Sequence, residues 1–425
     1  MQLTINPTKK AFLNTFLLVL VYAAVVYGIQ YFLMKALIFK RAPMENNMQW
    51  DVGWYKDIAE KGYHYIDGEA NNLALYFLFP LIWRISHLGI LGMSCLNAVF
   101  FAIGFSILCN LYNVSTRNKI LWLTVPTVYQ AFIPYSEAIF FMLASIVIYG
   151  IAKRNIWIIV INLFLLSLTR ATYTFMGPAF LAMCLLSTNR KDWYKSIGYA
   201  LLVYWLPMLL GTALFIWYEY KITGIWFVFF DIAQKAWGHA FNIPILPFST
   251  LASTPTLWIG ALAMFTGLVA AIYLTNIFFR WLIKNEIQDG LLVASSTYFL
   301  MALFVVIFYN PTWATNTTNV SGIFRYTFMN PFFYIFLNYF TNNITYKWFH
   351  YLYVIILANI VWLAFGSYSS LELALYYTAD TVAIILFMLN ANKKLSWPVI
   401  ILAAFNFILQ IQLFQLFIES KYFPD

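Results

Sequence analysis

Four charged residues of this apolar chain have the types and surroundings that group-transfer chemistry needs: Asp51, Glu137, Arg170 and Arg325. A carboxylate within hydrogen-bond reach of an alcohol can accept its proton as the oxygen attacks. A guanidinium can bind a phosphate through parallel hydrogen bonds and neutralise the charge of a departing phosphate. One carboxylate with one or two arginines is therefore the smallest set of side chains that could move a group from a phosphate to an alcohol.

Asp51 stands near the start of an unusually polar segment, WDVGWYKDIAEKGY, at residues 50–63. On a helix over residues 52–63, the apolar and polar positions separate onto two faces. The apolar face consists of Val52, Tyr55, Ile58, Ala59, Gly62 and Tyr63, and the polar face of Lys56, Asp57, Glu60 and Lys61. This pattern predicts an amphipathic helix that lies in the membrane interface. Asp51 could also be the N-cap of this helix, a role that is compatible with chemistry.

The composition indicates an all-α polytopic membrane protein. Hydrophobic residues make up 63% of the 425 residues and charged residues 10%, whereas soluble domains carry about 25% charged residues. We expect one integral membrane domain over residues 1–425. The net charge of +9 is interpreted as a topology signal and not as a sign of nucleic-acid binding. The three cysteines lie in apolar runs without metal-ligand spacing, so we expect neither disulfides nor zinc.

Thirteen apolar segments are candidates for transmembrane helices. They lie at about 11–38, 92–113, 120–134, 138–152, 156–172, 174–187, 197–219, 256–283, 291–309, 328–341, 348–366, 372–389 and 397–418. The first is too long for the apolar core of a signal peptide, so we expect it to be retained as a helix. The segment 73–90 is also apolar, but Pro80 and Arg84 interrupt it, which predicts a re-entrant or interfacial element.

The distribution of Lys and Arg predicts the orientation. With the N-terminus inside, every predicted cytoplasmic turn carries at least one basic residue, as the positive-inside rule requires. The outer face then receives the first loop at 39–91, the turn at 134–137, and the loops at 219–255 and 310–327. All four charged residues fall at or near this face, so we expect packing of the bundle to bring them together.

Several motifs stand in a recognisable order along the chain. They are Trp50-Asp51-x-Gly53-Trp54-Tyr55-x-x-Ile58-Ala59-x-x-Gly62-Tyr63, Ala74-Leu75-Tyr76-Phe77-Leu78-Phe79-Pro80-Leu81 closed by Arg84, Pro134-Tyr135-Ser136-Glu137, Leu168-Thr169-Arg170, and Arg325-Tyr326 followed by Pro331. Together they resemble the PIG-V family of polyprenol-dependent mannosyltransferases, which belongs to the GT-C superfamily of membrane glycosyltransferases. The chain departs from the family pattern at Phe77, where the family has a proline.

The resemblance implies a GT-C type bundle of about 13 transmembrane helices with interfacial helices in the first outer loop. It implies transfer of a hexose, with mannose expected, from a polyprenyl-phosphate donor to an alcohol of a glycan or glycolipid acceptor. It also implies that Asp51 is the general base. Direct displacement by the acceptor would invert the anomeric centre. We expect no cofactor and no metal, and the lipid bilayer as the surroundings.

The other charged residues receive roles from the same chemistry. We expect Arg325 to bind the donor phosphate, Arg170 to make a second contact with the phosphate or the acceptor, and Glu137 to position the acceptor or orient an arginine. Further substrate-binding residues are expected at Trp50, Tyr55 and Tyr326.

Each of these residues also has a purely structural interpretation. Glu137 could begin a helix that Ser136 caps, where a negative charge is favourable. Arg170 could extend its charged end to the membrane interface. Arg325 could be a surface charge of a polar loop.

Asp380 lies well inside the twelfth predicted span. A carboxylate at that depth costs roughly 2.5–3.5 kcal/mol on insertion scales, so we expect it to face a cavity or a partner. The histidines show no ligand spacing, although His64 and His239 fall on the outer face. The aromatic residues of the 219–255 loop are typical of a membrane-interface belt and would also suit sugar rings.

Two other function classes remain open. A transporter or flippase of lipid-linked saccharides would need polar residues along a full path across the bilayer, whereas here they gather at one face. A non-catalytic scaffold would not need the clustered acids and arginines. We expect the bacterial cytoplasmic membrane with the active site outward, or the endoplasmic reticulum membrane if the source is eukaryotic.

Overall fold

The structure is a computed structural model that describes residues 9–39, 50–67, 69, 71–235, 238–250, 254–309, 316–366, 369–391 and 397–419. The described residues form helices joined by turns, with one isolated β-bridge between Ser249 and Asn319. The expected all-α architecture is therefore confirmed.

The α-helices are numbered here in chain order. They are α1 (Lys9–Lys35), α2 (Asp51–Lys61), α3 (Leu78–Ser86), α4 (Ile90–Leu111), α5 (Thr116–Leu123), α6 (Glu137–Lys153), α7 (Ile156–Leu166), α8 (Met176–Leu186), α9 (Trp193–Tyr199), α10 (Leu206–Thr223), α11 (Val228–Lys235), α12 (Thr254–Lys284), α13 (Gly290–Phe308), α14 (Ile323–Phe328), α15 (Pro331–Asn342), α16 (Trp348–Ala364), α17 (Leu371–Ala391) and α18 (Trp397–Ile418). Short 3₁₀-helices occupy Asn72–Ala74, Pro126–Phe132, Ala171–Phe175 and Arg190–Asp192, and a π-helix occupies Ala200–Trp205.

Seven helical segments within the described residues are long and apolar enough to cross a membrane. They are Lys9–Lys35, Ile90–Leu111, Arg190–Thr223, Thr256–Lys284, Gly290–Phe308, Leu371–Ala391 and Trp397–Ile418. Three shorter apolar helices, Ile156–Leu166, Ala171–Leu186 and Trp348–Ala364, lie in other expected spans. The chain is thus a polytopic membrane protein by length and composition of its helices.

The segment expected to span at 120–134 is not one helix. The α5 helix ends at Leu123, and a 3₁₀-helix at Pro126–Phe132 meets α6 at an angle of 98°. Pro126 has no N–H to donate, and its ring disfavours helix continuation. The side-chain amide of Gln410 donates to the carbonyls of Leu123 at 3.3 Å and Val125 at 3.1 Å. Polar side chains of neighbouring helices can satisfy backbone groups that a break frees inside a bilayer.

The connecting segments gather at two ends of the bundle. At one end, called the distal end, the turns after α8 and α12 meet, since Gln288 N donates to Leu186 O at 3.0 Å. At the opposite end, called the site end, Phe248 N donates to Ala364 O at 2.8 Å and Asn242 N to Phe308 O at 2.9 Å. The turns predicted to share a face therefore lie together.

The first loop contains the expected amphipathic helix with shifted bounds. The α2 helix covers Asp51–Lys61, and its buried residues are Val52, Tyr55, Ile58 and Ala59, all from the predicted apolar face. The remaining members of that face lie beyond the helix, which ends at Gly62 with φ at +88°. The α3 helix covers only Leu78–Ser86 of the segment 73–90. Residues 40–49 of the predicted loop lie outside the described residues.

Candidate functional site

The four charged residues nominated from the sequence meet in one ion-pair network. Arg325 Nη2 lies 2.7 Å from Asp51 Oδ2 and 2.7 Å from Glu137 Oε1, and Arg325 Nε donates to the same Glu137 oxygen at 2.8 Å. Arg170 Nη1 lies 2.8 Å from Glu137 Oε1. Glu137 therefore links both arginines, and Arg325 links both carboxylates.

Helix ends from four parts of the chain supply these side chains. Asp51 is the first residue of α2, and Glu137 is the first residue of α6. Arg170 immediately precedes the 3₁₀-helix Ala171–Phe175, and Arg325 lies in the six-residue helix α14. Both carboxylates thus occupy first helical turns, where the positive end of the helix dipole favours negative charge.

Backbone contacts hold the supporting turns in place. Asn97 of α4 is buried and donates through Nδ2 to the carbonyls of Ile133 at 2.5 Å and Tyr135 at 2.7 Å, which fixes the turn before Glu137. Leu78 N donates to Leu168 O at 3.0 Å, which ties the first loop to the turn that carries Arg170. These contacts cross from one element to another, so the network depends on tertiary packing.

Exposure of the side chains increases from one side of the network to the other. Glu137 is fully buried, the Arg170 side chain is 11% exposed, the Arg325 side chain 21% and the Asp51 side chain 31%. Asp51 and Arg325 therefore lie at the mouth of the site, where an incoming molecule can reach them. Glu137 lies at its base, and its Oε2 has no hydrogen-bond partner among the described residues.

The charges of the network balance, with two carboxylates against two guanidiniums. Burial acts to lower the pKa of the Arg325 guanidinium, but the carboxylates of Glu137 and Asp51 outweigh it and raise the pKa well above its ordinary value. Arg325 consequently stays charged. Removal of the buried Glu137 carboxylate would leave both guanidiniums without their shared partner, which is costly.

Aromatic side chains complete the walls of the site. The Tyr135 ring lies against the Arg325 guanidinium, 4.7 Å from its central carbon, and the Tyr326 ring lies 5.9 Å from that of Arg170. Such cation–π contacts favour a charged guanidinium in a fixed position. Tyr55 is buried on α2, and its hydroxyl lies 2.8 Å from the Ser136 hydroxyl. Tyr135 and Ser136 were not nominated as site residues, although they directly precede Glu137 in the sequence.

The structural interpretations of these residues fit the geometry less well. The proposal that Asp51 caps α2 is wrong, because Trp50 occupies the N-cap position and makes no capping hydrogen bond with its side chain. Ser136 occupies the N-cap of α6, but its side chain makes no capping bond either. Arg325 is not a loop surface charge, since it lies on α14 in two ion pairs.

Trp50 directly precedes Asp51 and is the N-cap residue of α2. It is partly buried, packs against the main hydrophobic core and has a positive backbone φ of 60° with ψ at −131°. This backbone conformation is uncommon outside glycine and turns the chain directly into α2.

The two histidines at the site end have local partners. His64 Nδ1 lies 3.5 Å from Asp57 Oδ2 and 3.0 Å from Asn72 Nδ2. His239 Nδ1 lies 3.1 Å from the Tyr309 carbonyl, and its ring stacks on Tyr309. In the part of the chain that the structure describes, no three His, Cys, Asp or Glu side chains lie close enough to hold a metal ion.

Two carboxylates lie buried away from the network. Asp380 of α17 is 1% exposed, and its Oδ2 has no hydrogen-bond partner within the described ranges. Glu219 of α10 is fully buried, and neither of its carboxylate oxygens has a hydrogen-bond partner among the described residues. Glu219 was not predicted as a buried residue, because the predicted span 197–219 ends at this position. In the structure α10 continues to Thr223, and Gly224, with φ at 72°, follows it as the C-cap.

Comparison of the chain with protein-family models, with curated proteins and with solved structures finds no match. The chemistry open to the site follows from its own geometry. The partly exposed Asp51 carboxylate can receive a proton. The adjacent Arg325 guanidinium can bind an oxyanion.

Proposed function

We propose that this chain is a membrane glycosyltransferase similar to the PIG-V family, with a GT-C type bundle. The transferred sugar is a hexose, with mannose proposed. It moves from a polyprenyl-phosphate donor to a hydroxyl of a glycan or glycolipid. The observation that carries the proposal is the convergence of Asp51, Glu137, Arg170 and Arg325 in one network at the site end. These four residues belong to the motifs on which the resemblance rests.

Arg325 is the proposed ligand of the donor phosphate. Its guanidinium is partly exposed, remains charged and can offer the phosphate oxygens the bond that it now gives to Asp51. Phe328, three residues beyond Arg325 on α14, is one of the residues that line an apolar cavity of about 210 Å³ among α12, α15 and α17. Phe333, Phe336 and Phe387 are among the residues that line it, and such a surface suits an isoprenoid chain.

The proposed reaction is a single displacement at the anomeric carbon. The acceptor oxygen forms a bond to this carbon while the bond from the carbon to the phosphate oxygen breaks with its electron pair. The acceptor proton passes to Asp51, and polyprenyl phosphate leaves with its added negative charge facing Arg325. Attack opposite the leaving group inverts the anomeric configuration.

The contact between Arg325 and Asp51 fits this order of events. The guanidinium is shared between Asp51 and Glu137. A donor phosphate would compete with Asp51 for the same nitrogen and so leave the carboxylate free for the acceptor hydroxyl. Glu137, which is buried and bonded to both arginines, would keep them in place throughout.

The membrane setting of the proposal follows from loop charge. Each predicted cytoplasmic turn carries at least one Lys or Arg, which would place the distal end at the cytoplasm of a bacterium. The network would then face outward in the cytoplasmic membrane, or into the lumen in an endoplasmic reticulum membrane. A polyprenyl-phosphate sugar and the acceptor would both meet the protein at that face.

A flippase of lipid-linked saccharides is a second candidate. Glu219 and Asp380 favour it, because buried carboxylates without partners among the described residues are rare in membrane helices and often mark transport paths. A path for a lipid headgroup would need polar groups between the site end and the distal end. The four-residue network does not by itself supply such a path.

One experiment separates the two candidates. The purified protein is reconstituted into vesicles that contain radiolabelled polyprenyl-phosphate mannose and a membrane-extract acceptor. A glycosyltransferase yields labelled acceptor, also in detergent where no bilayer exists. Movement of intact donor between leaflets without any labelled acceptor would favour the flippase.

A further inference from the structure

An open cavity of about 850 Å³ lies at the distal end of the bundle, remote from the ion-pair network. Its walls come from the turn after α6, the end of α8, the helix that begins at α9, and the turn before α13. The lining is mixed, with hydroxyl, guanidinium and ammonium groups beside apolar side chains. The glycosyltransferase proposal uses none of these residues, so the cavity requires its own explanation.

A π-helix shapes one wall of this cavity. The segment Ala200–Trp205 interrupts the long helical run between α9 and α10. In a π-helix the backbone bonds join residues five apart, so residues at this spacing approach the same face. Tyr199 and Tyr204 have this spacing, both line the cavity, and their rings lie 5.9 Å apart. Such bulges are rare and occur frequently at functional sites.

Two donors in the lining are not used by the protein itself. Arg154 directly follows α6 and lines the cavity, its side chain is exposed, and its guanidinium has no ion-pair or hydrogen-bond partner within the described residues. Tyr112 is 8% exposed, and its hydroxyl likewise lacks a partner in the described part of the chain. The Arg154 guanidinium is thus available to an acceptor that the chain does not provide, whereas the Tyr112 hydroxyl is buried.

The acidic groups in the lining are already engaged. Asp192 lies 2.9 Å from the Lys195 ammonium, and the Asp289 carboxylate accepts from Leu292 N at 3.2 Å as the cap of α13. The hydroxyls of Thr188 and Ser196 pair at 2.6 Å. Arg154 is therefore the charged residue of the lining whose side chain keeps no partner in the described part of the chain, and it can bind an anion.

The surroundings place this cavity at the level of lipid headgroups. Trp193 is 52% exposed and Tyr194 56% exposed directly beside it, whereas Leu202, further along the same helix, is 67% exposed. Aromatic residues followed by exposed leucines mark a membrane–water interface. Phospholipids carry their phosphate groups at this depth.

We propose that this cavity binds the phosphate group of a membrane phospholipid, with Arg154 as the principal contact. Tyr199 and Tyr204 contact the same headgroup. The exposed Leu201 and Leu202 pack against its acyl chains. This proposal concerns the opposite end of the molecule from the ion-pair network and stands without the proposed enzymatic function.

The test compares Arg154→Gln with Lys153→Gln in the full-length protein. Lys153 is a matched control, because it is the preceding residue and basic but lies over the Tyr149 ring at 5.8 Å and does not line the cavity. Each protein is placed in nanodiscs that contain phosphatidylglycerol mixed with galactosyl diacylglycerol, a lipid without phosphate. The protein is then purified, and the phosphatidylglycerol that remains bound to it is counted by native mass spectrometry. In a parallel experiment, the binding of free glycerol phosphate to the same proteins is measured.

We expect wild type and Lys153→Gln to retain phosphatidylglycerol, and Arg154→Gln to retain on the order of tenfold less, as for the loss of a charged hydrogen bond. Arg154→Lys, which keeps the charge, should retain an intermediate amount. Equal retention by Arg154→Gln and Lys153→Gln would overturn the site. Binding of glycerol phosphate without retained phospholipid would overturn the lipid as its source.

Discussion

The Arg325 guanidinium lies 2.7 Å from the Asp51 carboxylate, although 274 residues separate them in the chain. The same guanidinium binds the buried Glu137, so Asp51 is its more exposed partner. This arrangement makes Arg325 the residue through which a bound phosphate can act on Asp51.

Replacement of Arg325 by Lys should reduce kcat/KM for polyprenyl-phosphate mannose by roughly 100-fold or more, the usual cost of removing one charge-stabilising donor. Lysine keeps the charge but cannot bind two oxygens in a plane. Initial rates at several donor concentrations measure the effect. Arg280→Lys is the control, since Arg280 pairs with Glu286 at the distal end. Equal rates for both variants would exclude Arg325 from the reaction.

Replacement of Glu137 by Gln should destabilise the fold as well as abolish transfer. Both arginines would lose the buried carboxylate that they share, at a cost of about 3 kcal/mol or more. Thermal unfolding in detergent should therefore begin at a clearly lower temperature than in wild type. Glu60→Gln, on the exposed face of α2, should unfold as wild type does. A Glu137→Gln protein of wild-type stability would contradict its anchoring role.

Replacement of Tyr135 by Leu should weaken donor binding while Tyr135→Phe preserves it. The ring, and not the hydroxyl, lies against the Arg325 guanidinium. A cation–π contact with a partly desolvated guanidinium contributes about 1–2 kcal/mol, which corresponds to roughly 5- to 30-fold in affinity. Binding of a non-transferable donor analogue measures the difference. Similar losses in both variants would assign the effect to the hydroxyl.

The loops of the site end should lose stability in mild acid through His239. Burial lowers the pKa of this histidine, only partly opposed by its hydrogen bond to the Tyr309 carbonyl. The unfolded state then binds more protons than the folded state below about pH 6.5, so stability falls as the pH drops through that value. Unfolding temperatures between pH 8 and pH 5 should fall less in His239→Gln than in wild type. Parallel curves would exclude His239 as the cause.

The motifs that resemble the PIG-V family nominated the members of the network, and loop charge supported the choice. Asp51, Glu137, Arg170 and Arg325 are charged residues at the ends of apolar segments, and a single orientation places all of them at one end. Their mutual distances could not be predicted, because these depend on how α2, α6 and α14 pack. The Tyr135 ring is a similar case, since its position over Arg325 exists only in the folded bundle.

The differences from the predicted helices have local causes. Hydropathy alone does not distinguish a straight span from a broken one, so the bend at Pro126–Phe132 was missed although Pro126 signals it. The end of α10 was placed too early because polar residues precede Gly224, which stops the helix. The burial of Glu219 follows from that extension and required the structure.

The most direct test of the central claim is the transfer rate of Asp51→Asn beside Asp57→Asn, two equal changes on one helix. Asp57 pairs with Lys61 and Asn72 and lies outside the network. We predict that Asp57→Asn transfers mannose at nearly the wild-type rate. Asp51→Asn should be slower by about 10²- to 10⁴-fold, the range for loss of a general base, while it still binds the donor. Transfer by a folded Asp51→Asn protein at the Asp57→Asn rate would contradict the assignment of Asp51 as the base.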